Sequence, residues 1–520
     1  MELEKTAIAR RFAALTPEKQ AKFLEALRAQ RIDFAQLPIV PQAEGQRGAL
    51  SFAQQRQWFL WRLDPQSSAY HISGAQRLRG PLDLQALQAA FQTLWQRHSA
   101  LRTVFESLPD GTARQRVRDD LAFQVDIADL SASDAPELGA ALQRLRQQPF
   151  DLEQGPLLRV RVWRLAPQEH VLALVVHHSV ADGWSMQVLL EEFATAYAAI
   201  LSGNEPVLPA LAIDVQDHAL WQRHWMDAGE SERQLAYWRA HLGDEEAALS
   251  LPADLPRDPG YPYEAARHPL TVDPSLTAAL RARAAASGTT LFTVLLAAYQ
   301  TLLHRITCTE DVRIGVPLAN RARVETQHLV GFLAGTQVLR GRPRGSIRLS
   351  ELLHEAREAV HGAQAHPDLP FEQLVDSLAP QRKAGQSPLF QAMLNHTRER
   401  GDAALALPGL TASDVDLGGQ AAQFDLTLNS NESPDGRLDV TLIYASPLFA
   451  PATVTRWADD LLRILQALAH EPERLIADVA PLPDTARTAL LAQGNGGAAR
   501  RVPSVPEQLA AQAAATPDAP

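Results

Sequence analysis

The stretch Val171-Leu-Ala-Leu-Val-Val-His177-His178-Ser-Val-Ala-Asp182-Gly183-Trp184-Ser185 restricts the fold more tightly than any other part of the chain. A β-branched apolar run of strand length ends in two histidines and crosses a short polar turn. It then resumes with Val188, Leu189, Phe193 and Tyr197 at helical spacing. Strand, turn and helix are expected in that order. Side chains alternate across a strand, so His177 and His178 face opposite ways and only one of them is free to be the working residue. Asp182-Gly183 supplies the turn, and the following helix directs its unpaired N–H groups back towards it. A base-capable imidazole is thereby set beside partial positive charge.

The size and charge of the chain bound what surrounds this unit. Its 520 residues, 46% hydrophobic, suit two or three domain-sized units. A formal net charge of -11 with both signs interspersed argues against nucleic acid or an anionic membrane as partner. The charged start Met-Glu-Leu-Glu-Lys and the lack of a span-length apolar stretch lead to the expectation of a cytoplasmic protein. The single cysteine, Cys308, excludes an internal disulfide and falls at a helix-to-strand turn with no nucleophile signature around it.

Residues 1–49 open with two amphipathic helical stretches, 7–15 and 17–27, with Thr16 as the second N-cap, and lead into an extended linker. This appendage either packs on the body or offers a contact surface to another protein. From Ser51 a capped helix with an aromatic face begins, followed by a strand at 70–79, a helix at 84–98, and strands at 101–105, within 112–125 and at 157–165. A long helix is expected over 213–241, and prolines around 251–263 mark a lobe boundary. The second half repeats this grammar. It has helices at 289–304, 350–361 (capped by Ser350) and 451–469, and strands at 311–318, 424–429 and 438–444. The expected architecture is mixed α/β: an appendage at 1–49, a lobe at 50–220 carrying the histidines, a second lobe at 221–485, and a tail at 486–520 too poor in large apolar residues to form a domain.

Several further stretches match one family in its own order: Ser51-Phe-Ala-Gln-Gln-Arg56-Gln-Trp58, Arg97-His-Ser-Ala-Leu-Arg102, Asp217-His-Ala-Leu-Trp221, Val330-Gly-Phe-Leu-Ala-Gly-Thr-Gln-Val-Leu-Arg340, His366-Pro-Asp-Leu-Pro-Phe-Glu372, and Arg382 through Ser387-Pro-Leu-Phe. With His177-His178-Ser-Val-Ala-Asp182-Gly183 as its HHxxxDG pattern, the chain resembles the condensation domains of nonribosomal peptide synthetases. The resemblance implies two chloramphenicol-acetyltransferase-like lobes in a V with a central tunnel. It implies amide formation between a donor acyl thioester and the amine of an aminoacyl acceptor, both delivered on phosphopantetheine arms of carrier proteins, with no tightly bound cofactor. The tail likewise resembles the start of an adenylation domain, so downstream adenylation and peptidyl carrier domains are implied partners. Three positions depart from the pattern: Gly335 where the family has Asn, Ile213-Asp214 for an aromatic start, and Ser387 for Asn.

Amide formation requires the attacking amine to lose a proton, and a neutral imidazole accepts it, which marks His178 as the catalytic candidate, either as base or as orienting partner. His177 is assigned to structure. Asp182 is read as a buried brace needing a charge partner, and Arg102 and Arg340, both in matching motifs, are the candidates. The Gly183 N–H is a candidate oxyanion donor, and Trp184 and Ser185 are assigned to packing and capping. No metal site is expected, because adjacent strand residues diverge. Epimerisation on the same fold and a non-catalytic recruitment platform are the alternatives. The donor is expected to be either a fatty acyl-CoA, preferred because the chain starts at Met1 with no carrier before it, or an upstream peptidyl carrier protein docking at residues 1–49.

Overall fold

The computed structural model describes residues 2–43, 47–131, 135–243, 249–257, 264–378, 387–398, 405–417, 422–479, 484–494 and 503–518. Arg382 of the last matching motif lies outside them. The first half supplies β1 (His71–Arg79), β2 (Thr103–Ser107), β3 (Ala113–Val117), β4 (Asp126–Asp129), β5 (Leu158–Ala166) and β6 (Glu169–His177). The second supplies β7 (Ala265–Thr271), β8 (Val312–Leu318), β9 (Gly335–Gly341), β10 (Ala392–Arg398), β11 (Thr411–Asp414), β12 (Leu426–Glu432) and β13 (Leu438–Ala445). One sheet runs β11-β1-β6-β5-β4, another β7-β13-β12-β10-β8-β9, and β2 and β3 form a separate hairpin. Both large sheets are mixed: β4 pairs parallel with β5, and β10 pairs parallel with β8 and β12. The fold is mixed α/β in two lobes, as the sequence patterning implies.

The apolar run before the histidines becomes β6, buried from His170 to His177 because it is central in its sheet, between β1 and β5. The helices Leu84–Arg97 and Gly183–Leu201 cover this sheet, with the rings of Phe91 and Phe193 stacked at 4.4 Å. In the second lobe Leu291–Thr307 is buried on nearly all sides, and Pro451–His470 packs against it. No single described helix is long and apolar enough to cross a membrane.

The two cores do not follow the halves of the chain. Leu329, Val330, Leu333, Leu405 and Leu407, all from the second half, are buried in the first lobe's core. β11 continues this crossing by pairing with β1 across the lobes, Arg79 opposite Thr411. The appendage also packs on the body, where Phe12 and Phe34 join the first core. Arg323 donates to the carbonyls of Ala35 and Leu37 at 2.9 and 2.7 Å, and Ile39 N donates to Glu325 at 3.0 Å.

Three local expectations are corrected. The helix expected over 213–241 is two helices, Val215–Trp225 and Ser231–Leu242, broken where Gly229 takes φ 104. A Cβ on Gly229 would lie 3.1 Å from the Arg28 side chain, so the break leaves room for the appendage to seat. Ser350 is not a cap: the helix starts at Leu349 with Arg348 preceding it, and Glu351 accepts from Arg348 N at 2.8 Å. Within 112–125 the strand ends at Val117, and β4 begins only at Asp126. Cys308 occupies the left-handed position that closes the helix Leu291–Thr307, φ 56, and is exposed.

Burial of neutral imidazoles has a consequence for stability. Burial lowers His177 and His218 to about 3 and His224 and His241 to about 4, against an ordinary value of 6.5. Between these values and 6.5 the unfolded chain binds more protons than the folded one, so stability falls as pH falls, by up to about 1.4 kcal/mol per pH unit for each histidine. Asp368, raised to about 6 mainly by burial, works in the opposite sense between its ordinary value of 3.8 and about 6. Burial likewise lowers His71, His170, His178 and His396 and raises Asp217, Asp227 and Glu372, so the lowered histidines outnumber the raised carboxylates. A lower urea midpoint is expected at about pH 5 than at about pH 7.5, and an equal or higher one would contradict this account.

Candidate active site

β6 delivers His177 and His178 to opposite sides of the sheet end. His177 Nδ1 accepts from Ser179 N at 3.1 Å, and Ser179 Oγ lies 2.8 Å from the same nitrogen. An acceptor at Nδ1 places the ring proton on Nε2, so His177 is a neutral imidazole, packed near His71 and Phe150 with ring centroids at 5.9 and 6.1 Å. His178 faces the other lobe. Its backbone N donates to Tyr70 O at 2.9 Å, and its ring lies 4.6 Å from that of Phe332. Its Nδ1 is buried without a hydrogen-bond partner. Burial lowers its pKa, with the Asp182 carboxylate and the backbone of His178 and Ala181 opposing in part. The ring is neutral at pH 7 and able to take up a proton.

Asp182 is fully committed to structure. It caps the helix Gly183–Leu201, Oδ1 accepting from Ser185 N at 2.8 Å, while Oδ2 accepts from Leu333 N and Ala334 N at 3.1 Å each. Its charge partner is Arg321, whose Nη2 lies 3.0 Å from both carboxylate oxygens. This corrects the expectation of Arg102 or Arg340. Arg102 pairs with Asp119 and donates to the carbonyls of Trp95 and Gln96 within its own lobe. Arg340 pairs with Asp311 at 2.7 Å and donates to Leu242 O at 2.8 Å. Neither faces Asp182. Arg321 lies just after β8, outside the matching stretches, and its second amino group donates to Thr326 O at 2.9 Å and to Leu329 O. Side-chain exposures of 1% for Asp182 and 2% for Arg321 make this a buried pair between the lobes.

The other predicted residues extend the same joint, with one correction: the helix is capped by Asp182, not by Ser185, which lies inside it. Ser185 Oγ lies 2.7 Å from Asp182 Oδ1 and accepts from Gly331 N at 3.1 Å. Trp184 Nε1 donates to Gln327 O at 2.8 Å. Gly183, the first helical residue, is exposed, and a Cβ there would meet nothing within 4 Å. Its N–H belongs to the first turn, where no helical carbonyl serves it.

Two cavities adjoin this joint. A narrow one of about 60 Å³ lies between Ser51, Arg56, Phe332, Thr336 and Glu372. Across it Arg56 and Glu372 approach to 3.7 Å. The second, of about 510 Å³, is lined by Trp184, Trp221, Trp225, Leu318 and Arg323 among others. His218, Gln222, Asn320, Pro367 and Asp368 belong to both linings. Phe332 entered the sequence reading only as part of the stretch Val330 to Arg340, and Arg321 did not enter it.

With this geometry in view, the condensation domain family model matches residues 45–491. The chain belongs to the condensation domain family. Condensation domains are amide-bond-forming acyltransferases. One of the linear gramicidin synthase proteins of Brevibacillus parabrevis is 41% identical over 463 residues, 88% of this chain and 6% of that protein. Malpibaldin synthetase of Mortierella alpina is 37% identical over 86% of this chain and 8% of its own length. The chain thus spans under a tenth of these synthetases. Among solved structures, the X-domain from teicoplanin biosynthesis aligns over 86% of this chain and 100% of its own with TM-score 0.79 and 29% identity. The four-domain synthetase holo-AB3403 aligns over 85% of this chain and 34% of its own, TM-score 0.77 at 23% identity, a likeness of fold.

Proposed function

We propose that this condensation domain joins a donor acyl thioester to the amine of an aminoacyl group held on the phosphopantetheine arm of a carrier protein, with His178 taking up the proton of the attacking amine. The supporting observation is the division of labour between His178 and Asp182. The histidine is held neutral by burial and packs against Phe332, whereas the carboxylate is consumed by Arg321, Ser185 and two backbone N–H groups. Proton transfer therefore falls to the imidazole.

In the proposed step the amine nitrogen forms a bond to the thioester carbonyl carbon, and the carbonyl oxygen gains negative charge. His178 accepts the amine's proton. The oxyanion collapses, the C–S bond breaks, and the departing thiolate takes the proton from the imidazolium. Gly183 N–H, in the first turn of its helix where no helical carbonyl serves it, is the proposed oxyanion donor. A thioester is already activated, so holding the two tethered reactants together supplies much of the rate.

The test supplies the purified chain with an aminoacyl carrier protein and, separately, a fatty acyl-CoA or a carrier protein loaded with a dipeptidyl thioester. Amide product is expected by mass spectrometry. Product from the acyl-CoA arm alone assigns the starter role preferred from the sequence, and product from the carrier arm alone an elongation role. No amide in either arm overturns the proposal and leaves epimerisation or recruitment on the same fold. The downstream adenylation and carrier domains stay part of the proposal as the source of the acceptor.

A further inference from the structure

His218 is a buried histidine that the proposed proton transfer does not use. It lies near the start of the helix Val215–Trp225, is 8% exposed, and lines both the cavity of about 60 Å³ and the cavity of about 510 Å³. Neither of its ring nitrogens has a hydrogen-bond partner among the described residues. His71, His98, His170, His178 and His224 each hold one unpartnered ring nitrogen sealed inside the fold, whereas the nitrogens of His218 are not sealed. The little surface that His218 keeps therefore includes its ring nitrogens, and the spaces beside it are the two cavities. Enclosed polar groups are normally answered, so a free imidazole on a cavity wall points to a partner that arrives with the substrate.

The surroundings select the kind of partner. The charges that act on the ring are the guanidinium groups of Arg321 and Arg323 and the carboxylate of Asp182, and Arg321 already meets Asp182 at 3.0 Å. The balance at the ring is positive. It disfavours an ammonium group and favours an oxygen that gains negative charge. Burial, followed by the two guanidinium groups, lowers the pKa of His218 to about 3, so the ring meets its partner as a neutral imidazole with one N–H to donate. A neutral imidazole polarises a carbonyl oxygen without giving up its proton.

We infer that His218 is a hydrogen-bond donor to the carbonyl oxygen of the donor thioester, acting beside the proposed Gly183 N–H as negative charge develops there. Its two cavities lead to the right neighbours. Trp184, next to Gly183, lines the larger one, and Phe332, whose ring is 4.6 Å from that of His178, lines the narrower one. The labour is divided between two histidines: His178 takes the proton of the amine, and His218 holds the oxygen of the carbonyl. This inference rests on the proposed condensation reaction and adds a catalytic residue to it.

The test compares the full 520-residue chain with His218→Phe and His218→Leu, which lose the donor, and with His218→Gln, which keeps one. The probe is S-acetyl-pantetheine, isotope-labelled at the thioester carbonyl and supplied without an amine, and difference infrared spectroscopy reads the carbonyl stretch. Binding is expected to lower the frequency in the unaltered chain and in His218→Gln, and the band should return towards that of the free probe in His218→Phe and His218→Leu. In the condensation assay the two donor-less variants are expected to lose about 10²-fold in kcat, with KM and the pH profile kept, because the lost contact strengthens only as the oxyanion forms. No shift of the carbonyl band in the unaltered chain, or an undiminished shift in the donor-less variants, overturns the inference. Should one donor-less variant fail to fold, the other carries the comparison. The infrared measurement needs no turnover, so an unaltered chain that polarises the carbonyl but forms no amide sinks the condensation reading and leaves His218 as the carbonyl's donor.

Discussion

Arg321→Ala is expected to destabilise the protein by about 3–5 kcal/mol, the cost of stranding a buried carboxylate. Asp182 has no water to turn to, since its side chain is 1% exposed. The same substitution also frees Thr326 O and Leu329 O, and with them the segment that carries Phe332 against His178. Loss of amide formation should therefore accompany the loss of stability. Urea unfolding of Arg321→Ala beside Arg340→Ala decides the assignment, because Arg340 is tied to Asp311 and Leu242 and leaves Asp182 untouched. A loss under about 1 kcal/mol in Arg321→Ala, the range of an exposed pair, would remove the brace from this account. The double variant Asp182→Asn with Arg321→Met should recover stability relative to Arg321→Ala, since neither uncompensated charge remains.

His178→Ala should lower the rate of amide formation about 10²- to 10⁴-fold, the usual contribution of a general base, with the fold retained. Its ring makes no side-chain hydrogen bond at Nδ1 for the fold to lose, and it packs on the ring of Phe332. His177→Ala should behave the other way. It removes the acceptor for Ser179 N and vacates space between His71 and Phe150, so it is expected to cost about 1–3 kcal/mol of stability. Rates and thermal midpoints of the two variants separate the roles. A His178→Ala protein that keeps more than a tenth of the rate would show that positioning of the tethered substrates, not proton transfer, carries the reaction.

The sequence made the strand, turn and helix around His177 and His178 legible because their apolar periods are unmixed, and it made the two-lobed mixed α/β fold legible through ordered motifs. The divergence of the two histidines followed from strand alternation alone. What stayed hidden depends on approach in space. Arg321 lies 139 positions from Asp182 and sits in a polar loop whose composition resembles any solvated turn. Arg102 and Arg340 attracted attention by lying in recognisable stretches, yet each is absorbed by carbonyls and a carboxylate of its own neighbourhood. The break at Gly229 was visible as a glycine, but the Arg28 side chain seated against it is a contact across some two hundred residues.

The pairing of β11 with β1 bears on how such a chain tolerates recombination. A strand from the second half completes the edge of the first half's sheet, with Val415 N also donating to Ala75 O at 3.0 Å. Cutting between the lobes and grafting one onto a foreign partner would leave β1 with a bare ladder edge, a template for self-association. The exchangeable unit is therefore the interlocked pair of lobes, and a crossover made midway cuts through a ladder whose two sides come from the two halves of the chain.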